Sequence, residues 1–165
     1  MLVVAKKLLK AGIKTAIITM ASHGCMVVQN DEIVRVFAPK VKAVVGSGAG
    51  ATFSSGFIYA YLKKWSLEES VRFAIAAASL KVTHSGLTMA SVKDIESLAA
   101  RLRVQRMIYR DDQFYTLKKL LSLPKNNPLF EEGVKFANLA TRKLQFKKRL
   151  PANRSLRDQA RKKTI

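Results

Sequence analysis

The feature that most restricts the fold is a glycine-rich turn, Gly46-Ser47-Gly48-Ala49-Gly50, set between an extended apolar segment at 41–45 and a helical stretch at 52–64. Three glycines in five residues allow a sharp reversal and close approach of another group to the backbone. A helix that starts directly after such a turn points its unpaired N–H groups and the positive end of its dipole at whatever lies there, which makes an anion cradle. The arrangement of strand, glycine turn and helix selects an α/β architecture. Hydrophobic residues form 48% of the 165-residue chain, enough to bury a core around it.

The flanks fit this reading. Positions 1–10 end a helix that Gly12 breaks, and 15–19, Thr-Ala-Ile-Ile-Thr, read as a buried strand of the kind found in parallel sheets. Positions 24–28 and 33–37 alternate around the turn Gln29-Asn30-Asp31-Glu32 and predict a hairpin, which Pro39 ends. In 52–64, Phe53, Phe57, Tyr61 and Leu62 recur at helical spacing and are expected to pack into the core. Ser66-Leu-Glu-Glu69 is a capping box opening an alanine-rich helix over 67–82, and Gly86 closes that unit. A further helix is expected from Val92 to about Arg106, with Ile95, Leu98 and Leu102 on one side. A short helix is expected at 114–121, and another begins with Asn127 as cap and Pro128 at its first position. Cys25, alone and without an acidic neighbour, is expected to be a small buried hydrophobe. His23, Cys25 and His84 lack the ligand number and spacing of a metal site, and no apolar run has the length of a membrane span.

Over residues 1–100 these elements resemble, in order, the C-terminal half of the ribokinase-like (PfkB) carbohydrate kinases. Val41-Lys-Ala-Val-Val-Gly-Ser-Gly-Ala-Gly-Ala-Thr-Phe-Ser-Ser-Gly-Phe57 is similar to the family signature Asp-Thr-x-Gly-Ala-Gly-Asp-x-Phe with a glycine and an aromatic one turn later. Gly12 to Gly24 resembles the strand and turn where the family contacts its nucleotide. Trp65 to Ser79 resembles the family's alanine-rich helix, and Val82-Thr-His-Ser-Gly86 its adenine-side loop. The resemblance implies a three-layer α/β fold with a mainly parallel sheet. It also implies a nucleotide-binding remnant at Gly48, Ala49 and Gly50.

The departures point the other way. The signature's last aspartate, which in the family takes the proton of the acceptor hydroxyl, corresponds to Ala51, and a methyl group accepts no proton. The first aspartate and the following threonine correspond to Val45 and Gly46. The sugar site, lid and magnesium-associated acids of the family are expected N-terminal to this chain. These departures imply a chain that is not an enzyme and has no cofactor or metal. They also imply an uncovered sheet edge that neighbouring proteins would cover.

Charge adds a second expectation. The 30 Lys and Arg outnumber the 11 Asp and Glu, for a net +19, and residues 101–165 hold 18 of the basic residues against 5 acidic ones. Such an excess favours a polyanionic partner. Residues 101–165 are therefore read as a basic helical extension and tail. Arg101, Arg103, Arg106, Arg110, Lys118, Lys119, Arg142, Lys143, Lys147, Lys148, Arg149, Arg154, Arg157, Arg161, Lys162 and Lys163 are its expected contacts to structured RNA. On this reading the chain is a structural, rRNA-contacting subunit of a large ribonucleoprotein, foremost a mitochondrial ribosome, with the cytoplasm as the other compartment and no membrane role. The alternatives are a carbohydrate or nucleoside kinase subunit completed by a partner chain, and a nucleotide-sensing pseudokinase.

Overall fold

The computed structural model describes residues 2–29, 32–86, 89–110 and 113–141. A helix α1 (Leu2–Lys10) leads into strands β1 (Thr15–Thr19), β2 (Cys25–Gln29) and β3 (Glu32–Val36). Helices α2 (Ala49–Leu62), α3 (Leu67–Lys81) and α4 (Val92–Ala99) follow, then β4 (Val104–Arg110), β5 (Gln113–Thr116), α5 (Leu117–Leu121) and α6 (Pro128–Thr141).

The sheet runs in sequence order, β1-β2-β3-β4-β5, and every pair is antiparallel. The α/β fold expected from the resemblance is present, but the mainly parallel sheet is not seen among the described strands. The cause is local. Strands β1, β2 and β3 are joined by connections too short for the crossover that a parallel pair requires. The segment at 41–45 would be a parallel partner, yet it forms no strand. Val44 and Val45 N–H instead donate to the Val82 carbonyl at 2.7 and 3.2 Å, which anchors this segment to the end of α3.

Side-chain alternation assigns the two faces. Cys25, Val27 and Val36 turn toward α3 and share a core with Phe53, Trp65, Val71, Phe73, Ile95 and Leu102. Met26, Val28, Ile33 and Met107 turn to the opposite face, where Ala5 and Leu9 of α1 cover them. Ile108 meets Leu120 of α5 in a third, smaller cluster. The corner between α2 and α3 is set by Trp65, edge-on to Phe73 with ring centroids 5.3 Å apart. The capping box at Ser66 is complete: its hydroxyl accepts from Glu69 N–H, and the Glu69 carboxylate accepts from Ser66 N–H at 3.2 Å.

Three expectations change. Only half of the α2 stripe is core: Phe53 is buried and Phe57 partly so, but Tyr61 and Leu62 are 66% and 72% exposed. Helix α4 stops at Ala99, and 104–110 is a strand instead of more helix. Its odd and even positions alternate, with Ile108 on the α3 face and Met107 on the α1 face. The arginines between these apolar residues hide a period of two. Likewise, 113–116 extends as β5 before α5 begins with Thr116 as its cap, so the region beyond 100 is not purely helical. The Asn127 cap is as expected, its side chain accepting from Leu129 N–H at 2.9 Å.

Candidate functional site: a glycine turn on an apolar cavity

Helix α2 begins at Ala49, and Gly48 before it has φ +83, a left-handed conformation that glycine adopts without strain. Gly48 has no side chain with which to cap the helix. The first closed bond of the turn is Thr52 N–H to the Gly48 carbonyl at 2.9 Å. The N–H groups of Ala49, Gly50 and Ala51 precede that bond and are the donors that an α-helix leaves without an intrahelical acceptor.

This turn forms one wall of a cavity of about 640 Å³. Gly46, Ala49, Gly50 and Phe53 line it on the α2 side, and Ile75, Ala78, Ser79 and Val82 on the α3 side. The loop Thr19 to Gly24 and the lead-in from Ala38 to Ala43 complete it. The lining is mostly apolar, with the Thr19, Ser22 and Ser79 hydroxyls and Lys40 as its polar side chains, which suits a bound small molecule. It holds no carboxylate, and no group of three or more His, Cys, Asp and Glu side chains that could hold a metal ion occurs among the described residues.

Two backbone features shape the loop opposite the turn. Ala21 lies at φ +47, unusual for a residue with a Cβ. Gly24 has φ +90, and a Cβ there would lie 2.0 Å from the Val36 carbonyl oxygen and 2.7 Å from Ala38 N. The loop can therefore fold back on the end of β3 only with glycine at 24. Cys25, next in sequence, is fully buried, and burial pushes its thiol up to about 12, so it is no nucleophile.

Ala49 and Gly50 thus come together with the Thr19–Gly24 loop and α3 at one cavity, while Gly48 does not line it. Ala51 is exposed at the start of α2. Six of the expected RNA contacts lie among the described residues. Arg106 and Arg110 are on β4, not on a helix. Arg106 pairs with Glu68 of α3, and Arg110 with Glu132 of α6 at 3.4 Å. The Arg103 guanidinium lies 3.8 Å from the Phe37 ring centre. Lys119 lies over Tyr115 at 4.8 Å, and Arg101 donates to the Ser97 carbonyl. Lys118 is exposed. Arg142, Lys143, Lys147, Lys148, Arg149, Arg154, Arg157, Arg161, Lys162 and Lys163 lie outside the described residues.

Sequence reasoning missed the half-buried and buried charges of α3. Glu68 accepts from Arg72 at 2.9 Å and also binds Arg106, while Arg72 donates to the Ala99 and Leu102 carbonyls at 3.3 and 2.8 Å. Lys81 is 8% exposed at the end of the same helix. A signal existed: Ala74, Ala77 and Lys81 fall on one face of an otherwise alanine-lined helix, a position where a lysine is rarely solvated.

Comparison with known proteins gives these features a setting. Residues 1–94 match the family described as pfkB family carbohydrate kinase. The 1-phosphofructokinase of Borreliella burgdorferi is 29% identical over 103 residues, 62% of this chain and 33% of that protein. The ribokinase of Haemophilus influenzae is 38% identical over 77 residues, 46% of this chain and 24% of that protein. Among solved structures, Thermotoga maritima ribokinase is 31% identical with a TM-score of 0.52, over 57% of this chain and 32% of that one. Arabidopsis thaliana ribokinase, complexed with ribose and ATP, is 33% identical with a TM-score of 0.51, over 57% and 31%. The chain spans about a third or less of the length of these relatives.

These matches overturn the reading of the chain as a non-enzymatic ribosomal, rRNA-binding, mitochondrial subunit. The relatives are sugar and sugar-phosphate kinases by name, and nothing in them indicates a ribosomal protein. The error came from weighing net charge above the motif. A charge total says nothing about how many of its cations are already engaged inside the fold, as Arg106 and Arg110 are.

Proposed function

The chain belongs to the pfkB family of carbohydrate kinases, and from that membership we propose that it is the nucleotide-side segment of a kinase acting on a carbohydrate or nucleoside hydroxyl. The observation that carries the proposal is the glycine turn on the cavity. Unpaired N–H groups at the start of α2, next to an apolar pocket of about 640 Å³, suit a phosphate chain attached to a flat heterocycle. The relative solved with ribose and ATP supports that ligand class. In the reaction, an acceptor hydroxyl oxygen bonds to the terminal phosphorus, the bond to the bridging oxygen breaks, the nucleoside diphosphate leaves, and the hydroxyl proton is released to solvent.

The sugar site is assigned to polypeptide outside these 165 residues. The exposed apolar side chains Val44, Ile58, Tyr61 and Leu62, and the edge strand β1, which pairs only with β2 among the described strands, support a completing segment against this side. Ala51 bears on rate more than on ligand. Phosphoryl transfer relies chiefly on positioning and electrostatic stabilisation, whereas a general base adds roughly 10²–10⁴. Transfer in the completed kinase then proceeds without proton abstraction by residue 51.

The test is an assay of the complex isolated with the chain, using labelled ATP and a panel of ribose, deoxyribose, fructose phosphates and nucleosides. Label appearing in one acceptor supports the proposal. ATP that neither binds nor transfers label in the isolated complex refutes it.

A further inference from the structure

Successive residues of β3 turn to opposite faces of the sheet. Val34 and Val36 join the α3-side core, so Arg35 and, one step past the strand, Phe37 share the α1 face with Ile33. The ladder runs on beyond the strand: Phe37 N–H donates to the Arg103 carbonyl at 3.0 Å, which sets Arg103 opposite Phe37. Two guanidiniums from neighbouring strands thereby meet at one ring. The Arg35 guanidinium carbon lies 4.5 Å from the Phe37 ring centre, and that of Arg103 lies 3.8 Å from it.

The ring places these charges without satisfying them. Attraction to an aromatic face holds a cation, but it gives the five N–H donors of a guanidinium no oxygen to bond. Arg72, Arg101, Arg106 and Arg110 each donate to an oxygen of the protein. Arg35 and Arg103 have no such partner among the described residues, and Arg35 Nε is shut off from solvent as well. An enclosed donor without an acceptor is unfavourable, and two like charges around one ring repel. A single oxyanion accepting from both guanidiniums relieves both conditions. The place is distinct from the cavity, which Phe53, Ile75 and Ala78 line on the α3 side of the sheet. Arg103 also lies beyond residues 1–94, the part that matches the kinase family.

We propose that Arg35 and Arg103, spaced by Phe37, form a binding site for a small oxyanion, a compound whose phosphate or carboxylate group is gripped between the two forks. The site stands independently of the nucleotide-side reading above.

The experiment follows the arginine Nε–Hε signals of the full chain by NMR while inorganic phosphate or, separately, succinate is added at constant ionic strength set with sodium chloride. The Arg35 signal is identified by its absence in Arg35→Lys. The expected result is a saturable downfield shift of that signal with at least one probe. Arg103→Gln, a change at an exposed side chain, is expected to weaken the response about 10-fold or more, as loss of a charge-assisted contact does. A response to phosphate alone assigns a phosphate compound, to succinate alone a carboxylate, and to both an oxyanion of either kind. No saturable shift with either probe overturns the proposal. So does equal affinity in Arg103→Gln, or a shift that chloride alone produces, which is screening.

Discussion

Up to the end of α4 the chain leaves polar groups open. Gly48 provides no side-chain cap, Ala49 and Gly50 line a cavity, and the Lys81 ammonium has a carbonyl but no described carboxylate. From β4 onward several of the described charges are engaged within the fold. Arg106 ends on Glu68, Arg110 on Glu132, and Lys119 on the Tyr115 ring. The second region also completes the first, because β4 continues the sheet from β3 over five paired residues, Glu32↔Ile108 to Val36↔Val104. The contrast teaches that density of charge and availability of charge are different properties. The region richer in cations engages Arg106, Arg110 and Lys119 within the fold, while the poorer one leaves a helix N-terminus without a side-chain cap beside a pocket.

The largest expected effect would break the contrast on the side of chemistry. Ala51→Asp places a carboxylate in the first turn of α2, where the dipole favours it. Acceptor phosphorylation by the completed complex is expected to rise roughly 10²–10⁴-fold in single-turnover rate. No change would place the proton acceptor elsewhere. Next, Gly24→Ala forces a Cβ against the Val36 carbonyl and a strained φ, and is expected to cost about 3 kcal/mol or more. Chemical denaturation would read this as a lower midpoint with loss of nucleotide binding.

Two smaller changes probe the attachment of the second region. Glu68→Ala leaves the Arg72 and Arg106 guanidiniums, 12% and 17% exposed, without their carboxylate, at an expected cost of about 2–3 kcal/mol after allowance for partial exposure. If β4 and its helices form one cooperative unit with α3, circular dichroism will show a single transition shifted down; two transitions would separate the regions. Arg110→Ala removes a pair whose side chains are about a third exposed, and is expected to cost under about 1 kcal/mol in the same measurement.

Much of the first region was legible from its residues. The hairpin of β2 and β3, the capping box, the cap at Asn127 and the turn at 46–50 follow from local rules, because each is decided by neighbours within a few residues. What failed depends on distant partners. Strand β4 pairs with β3 across some seventy intervening positions, and its arginines mask the alternation of Met107 and Ile108. The segment at 41–45 has strand-like composition but no strand beside it. Tyr61 and Leu62 have the spacing of a core stripe but nothing among the described residues covers them. The turn at Gly48–Gly50 was read from the motif, whereas the burial of Lys81 required knowing that the end of α3 lies against that turn.

The most direct test of the account is hydrogen exchange of the full chain with and without ATP, resolved to short peptides. The account predicts slower exchange at 49–51 and in the loop 19–24, with 104–110 and 117–141 unchanged. Exchange that is unaltered at the turn, or slowed only beyond residue 100, would contradict it.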